Sequence, residues 1–157
     1  MSDKIFGLIL PGVFVLAWIM ALSGSDAPGA IANETIAEGY IRWMLYFAGF
    51  VFASSFVMHS FFAKRTASSI GWKTNGFQYE ISFVSLGLGL ACFYATYHGL
   101  QAWIAVSIPI ITFLFLAGLN HLREIFAKKN FAPNNTFILV WDFGMPVSLA
   151  VLLLTLI

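Results

Sequence analysis

Apolar residues run almost unbroken through Ile5 to Leu22, Tyr40 to Ala63, Phe77 to Tyr97, Ala102 to Leu122 and Thr136 to Ile157, with short polar segments between them. A helix rising about 1.5 Å per residue needs about 17–25 apolar residues to cross the hydrocarbon core of a bilayer, and each run has that length. The pattern predicts an all-α integral membrane bundle of about five transmembrane helices, in one domain over residues 1–157. The first run also has the make-up of a signal peptide, with a charged start, an apolar centre and the small residues Ser23-Gly24-Ser25-Asp26-Ala27. It is read as a retained span. Asn33-Glu34-Thr35, Asn75-Gly76 and Ala132-Pro133-Asn134-Asn135-Thr136 supply turn and capping chemistry between the runs.

The polar segments carry an orientation signal. Lys4, Lys64, Arg65, Lys73, Arg123, Lys128 and Lys129 fall on one side of a five-span arrangement, and Arg42 falls on the other with Asp26, Glu34 and Glu38. The positive-inside rule makes the basic side cytoplasmic, which puts the amino terminus in the cytoplasm; a multi-pass location in the cell inner membrane is expected. Aromatic residues mark both interfaces: Trp18, Tyr40, Trp43, Tyr97 and Trp103 outside, Trp72 and Tyr79 inside.

Composition agrees with a lipid environment. The chain is 60% hydrophobic and 10% charged, against about 45–50% and about 25% in soluble domains. A soluble fold of this length could not hide so much apolar surface, so the bilayer is the expected partner. No basic run with interleaved aromatics suggests nucleic acid. The single cysteine, Cys92, lies in an apolar run and reads as a small packing residue, leaving no disulfide framework and no CxxC clip. Oligomeric state and partner chains are not legible, although a homo-oligomer or a larger membrane complex suits a chain of this kind.

The third run is expected at the centre of the bundle. Ser82, Ser85, Gly89, Cys92 and Thr96 share one helical face, which Gln78 extends, while Gly87 and Ala91 share another with Glu80. Small residues at that spacing allow close helix approach. Pro109 and Pro146 interrupt the fourth and fifth runs, and Pro146 should free the carbonyl of Asp142.

Six polar side chains, His59, Gln78, Glu80, Asn120, His121 and Asp142, fall near the basic ends of the runs and are expected to form one buried polar cluster. Intramembrane carboxylates beside histidine are the usual parts of a proton pathway, and His121 would titrate near neutrality. The same groups could instead only bond helix ends and fix packing. Metal ligands of acceptable type are present, but no HExxH and no paired ExxH motif accompanies them, so no metal is assigned. Bis-histidine haem ligation would need His59 and His121. Asp142-Phe143-Gly144 spells a kinase tripeptide without the rest of the kinase motifs, and His98 belongs to a short turn.

Ile70-Gly71-Trp72, Gly76-Phe77-Gln78-Tyr79-Glu80, Gly118-Leu119-Asn120-His121, Phe131-Ala132-Pro133-Asn134-Asn135 and Asp142 with Pro146 together resemble an uncharacterised family of small multi-pass bacterial and archaeal membrane proteins. That family is loosely similar to the DoxX-like proteins. The resemblance covers roughly residues 40 to 157 and implies a helical membrane bundle with a shared polar layer. The reading that results is a non-enzymatic membrane protein acting as a small transport or accessory subunit. The alternative, from the DoxX-like similarity, is a membrane-embedded oxidoreductase component with quinone or haem near His59 and His121.

Overall fold

The computed structural model describes residues 7–157, and every regular element among them is a helix. We label them α1 (Ile9–Leu22), α2 (Ile36–Phe61), α3 (Ala63–Ile70), α4 (Gly76–Thr96), α5 (Leu100–Lys128), α6 (Pro133–Thr136) and α7 (Leu139–Leu154). Four stretches are long and apolar enough to cross a membrane: α2, α4, α5 and the α6–α7 pair over Pro133–Leu154. Of the first expected span, Ile5–Leu22, the described residues give α1. α1 has 14 residues, a rise of about 21 Å against a core of about 30 Å, and Ile5 and Phe6 lie outside the described residues.

Helix ends move for identifiable reasons. α2 begins at Ile36 rather than Tyr40 because Thr35 and Glu38 form a capping box: the Glu38 amide donates to Thr35 Oγ1 at 3.3 Å and the Thr35 amide donates to Glu38 Oε2 at 2.7 Å. α5 runs past Leu122 to Lys128, through good helix formers and a Glu124–Lys128 ion pair one turn apart, and stops where Lys129 turns left-handed. The segment after Ala63 is helical rather than a loop, because Ala63, Thr66, Ala67 and Ile70 make one buried stripe. Gly71, at φ +83°, ends that helix, and the amides of Gly71 and Trp72 close back on the carbonyls of Ser68 and Ala67. In the last span the irregularity falls at the turn Phe137–Ile138, and α7 continues through Pro146.

The central helix is α2, which corrects the expectation that α4 takes that place. Residues Ile41 to Leu45 are buried in succession, so the first half of α2 is covered all round, while Phe50, Val57 and Phe61 leave one side of its second half exposed; the helix packs against α1, α4 and α7. α4 does bury Ser82, Ser85, Gly89, Cys92 and Thr96, and it packs along α2 with that face. Its other small-residue face stays open: Gly87 is exposed, and a Cβ added there would meet nothing within 4 Å. Small residues permit close approach, but they do not supply the neighbour.

α1 lies on α7, with Phe14 against Gly144 and Trp18 Nε1 donating to Ser148 Oγ at 3.2 Å. α3 sits at one end of the bundle with the starts of α4 and α6 and the ends of α2 and α5. Lys64, Arg65, Lys73, Arg123, Lys128 and Lys129 belong to this end, called the basic end below. At the opposite end Arg42 is buried, bonded through Nε to Glu34 Oε2 at 2.7 Å and through Nη1 to the Thr96 carbonyl, with its guanidinium 4.9 Å from the Trp103 ring.

Candidate functional site

A histidine and an aspartate meet inside the basic end. His121 comes from the last third of α5 and Asp142 from the first turn of α7; they are 7% and 2% exposed. Gly118, one turn before His121, lets the two helices approach. A Cβ there would lie 3.1 Å from Asp142 Cβ and 2.8 Å from the Phe143 ring.

The ring orientation is set by Asn135, which is fully buried. Its amide nitrogen donates to the Asn130 carbonyl at 2.9 Å and the His121 carbonyl at 3.4 Å, which turns its oxygen towards His121 Nδ1 at 2.8 Å. Nδ1 therefore carries a hydrogen, and in a neutral ring Nε2 presents a lone pair. Asn130 is anchored in turn, donating to the Ile70 carbonyl at 2.9 Å and accepting from the Ala132 amide at 3.2 Å. The Ala132-Pro133 turn is thus tied both to α3 and to the imidazole.

Nε2 faces Asp142 Oδ2 at 3.8 Å, and that oxygen is buried with no hydrogen-bond partner. A lone pair opposite an ionised carboxylate in an apolar bundle is unfavourable, and an isolated buried carboxylate costs several kcal/mol. One proton, carried by either the ring or the acid, removes the conflict. The geometry is chemically compatible with one proton shared between the ring and the acid.

Trp72 covers the imidazole. The two rings are 6° from parallel with centroids 5.3 Å apart, and the indole Nε1 donates to Glu124 Oε2 at 3.2 Å. Glu124 also pairs with Lys128 at 2.6 Å. On the other side of Trp72 lies an open groove of about 440 Å³ lined by Gly71, Trp72, Lys73, Asn75, Asn120, Glu124 and Lys128.

The six residues expected in one cluster separate into different settings. His121 and Asp142 form the pair. His59 and Gln78 form another contact, at 3.2 Å between Nδ1 and Nε2, and Gln78 also donates to the Ala63 carbonyl at 2.8 Å. With the hydroxyl pairs Ser60–Ser82 at 2.8 Å and Ser55–Ser85 at 3.1 Å, this contact joins α2 to α4. Glu80 is exposed, because two residues beyond Gln78 means about 200° around the helix. Asn120 is exposed on the groove rim, about 100° from His121.

Sequence reasoning missed Asn135 as an orienting group and Glu124 altogether, and it read Trp72 as an interface anchor and part of a family motif, not as a cover for His121. The (i, i+4) spacing of Glu124 and Lys128 was the available signal for a held acid. Among the described residues no group of three or more His, Cys, Asp or Glu is placed to hold a metal ion.

The model of a family described as "Family of unknown function (DUF6790)" matches residues 6–156, nearly the whole chain. No curated protein and no solved structure matches it.

Proposed function

Because the chain belongs to DUF6790, a family of unknown function, we propose a function from the site itself: a non-enzymatic membrane protein that carries a proton on His121–Asp142, as a transport or accessory subunit. The observation that carries this reading is the unpartnered Asp142 Oδ2 facing a histidine nitrogen whose tautomer Asn135 sets. Intramembrane carboxylate–histidine sets are the usual elements of proton relays. A location in the cell inner membrane, alone, as a homo-oligomer or in a larger complex, is part of the proposal, and the four apolar helical stretches long enough to cross a bilayer support the membrane part of it.

The test uses purified protein in liposomes under an imposed pH gradient, with a pH-sensitive dye inside. Wild type should collapse the gradient about tenfold faster than protein-free liposomes, equivalent to about 1.4 kcal/mol of barrier. Asp142→Asn and His121→Phe should return the rate to the protein-free level. A wild-type rate at that level, or an Asp142→Asn rate equal to wild type, removes the proposal.

The orientation belongs to the same proposal and rests on the basic end being cytoplasmic. In a Cys92→Ala background, cysteines introduced at Lys64 and Lys128 should be protected from an impermeant thiol reagent in intact cells, while one at Asp26 reacts. The opposite labelling pattern would invert the topology.

A quinone or haem site at His59 and His121, the alternative that DoxX-like similarity suggests, has less support. His59 Nδ1 faces Gln78, and both nitrogens of His121 are turned to protein groups.

A further inference from the structure

The groove at the basic end touches Trp72 and Glu124 but not His121, although His121 is one turn from Glu124 on the same helix. The side chain between groove and imidazole is Trp72. We propose that this groove is the water-side port of the His121–Asp142 pair, with Trp72 as its removable barrier and Glu124 as the residue that holds the barrier shut; the inference rests on the proton-binding reading above.

The chemistry of an indole suits a barrier. Its one polar atom, Nε1–H, is a donor without a lone pair to accept a proton, and it points at Glu124 rather than at His121. Trp72 lies parallel to the imidazole in an offset stack, and the groove lining includes Trp72 but not His121, so the indole stands between the groove and the ring. Trp72 belongs to residues 72–75, which join α3 to α4 without regular structure, so moving it need not unwind a helix. Glu124 is the only acid among the groove residues, and its second oxygen is held by Lys128. Lys128 therefore keeps Glu124 in position to accept from the indole. Lys73, Asn75 and Asn120 complete a polar wall that water wets. With Trp72 turned aside, a hydronium in the groove gives its proton to the pair and leaves as water.

Access can be read separately from proton binding. The full chain in detergent is treated with diethyl pyrocarbonate, which modifies imidazole nitrogens, and peptide mass spectrometry follows His59, His98 and His121 individually. In wild type the exposed His98 should react fast and His121 slowest. Trp72→Ala should accelerate His121 by about tenfold while leaving His59 and His98 unchanged. An unchanged His121 rate in Trp72→Ala, or a wild-type His121 as reactive as His98, overturns the port. If Trp72→Ala loosens the whole bundle, seen as a parallel rise at His59, the decision passes to Glu124→Leu. That variant removes the acceptor from outside the stack and must accelerate His121 alone. Failure of proton flux with a positive labelling result would reject the proton reading and keep the port; the reverse outcome would reject only the port.

Discussion

Replacing Gly89 by leucine is expected to force α2 and α4 apart and to destabilise the protein by about 3 kcal/mol, the upper end for overpacking. A Cβ on Gly89 would lie 3.1 Å from both the Ala53 amide nitrogen and the Gly49 carbonyl oxygen. These are backbone atoms of the central helix, so they cannot turn away as a side chain would. The hydroxyl pairs Ser55–Ser85 and Ser60–Ser82 need the same close spacing, and they would lengthen together. Gly87→Leu is the matched control, since its added side chain enters open space. Any helix-propensity gain from removing glycine, about 1 kcal/mol, is common to both variants and cancels in the comparison. Unfolding in mixed micelles should therefore separate the two by several kcal/mol, and equal stability would show that the α2–α4 approach does not hold the bundle together.

The second large effect is expected at the opposite end. Arg42→Met should cost about 3–5 kcal/mol, the range for breaking a buried ion pair from one side. Arg42 is 2% exposed, and its removal leaves Glu34 without its cation and the Thr96 carbonyl without a donor. It also takes the guanidinium from the Trp103 ring. The decisive comparison is the double variant Arg42→Met with Glu34→Gln. Removing the stranded charge as well should make it more stable than Arg42→Met alone, by about 1 kcal/mol or more. The same micelle unfolding measures it, and strictly additive losses would mean that the pair contributes no coupling. Because Glu34 lies in the connection between α1 and α2, this ion pair also ties that connection to the end of α4.

Much of the fold was legible because it depends on local properties. An apolar run long enough for a bilayer forms a helix since its backbone can be satisfied internally in no other open form. The stripe Ser82, Ser85, Gly89, Cys92 and Thr96 was legible for a similar reason: helical periodicity alone places those residues on one face. Periodicity could not say that Gly87 faces open space, because that depends on where the other helices pack. The start of α2 was set by end chemistry that hydropathy does not weigh, the Thr35–Glu38 box.

The candidate site divides along the same line. Sequence alone determined that His121 and Asp142 lie at similar depth near one end of an all-α membrane bundle, since depth follows from counting residues along each apolar run. It also determined that Cys92 packs against neighbours, as a lone cysteine in an apolar stripe must. Tertiary structure decided which polar groups meet. Glu80 and Asn120 share the depth of the pair but point elsewhere, because one or two residues turn a side chain about 100° or 200° around a helix. Tertiary structure also decided that Asn135 orients His121 and that Trp72 covers it, through contacts between segments 14 and 49 residues apart in the chain. Depth is a property of one helix and can be read along it; facing is a property of two, and only their packing supplies it.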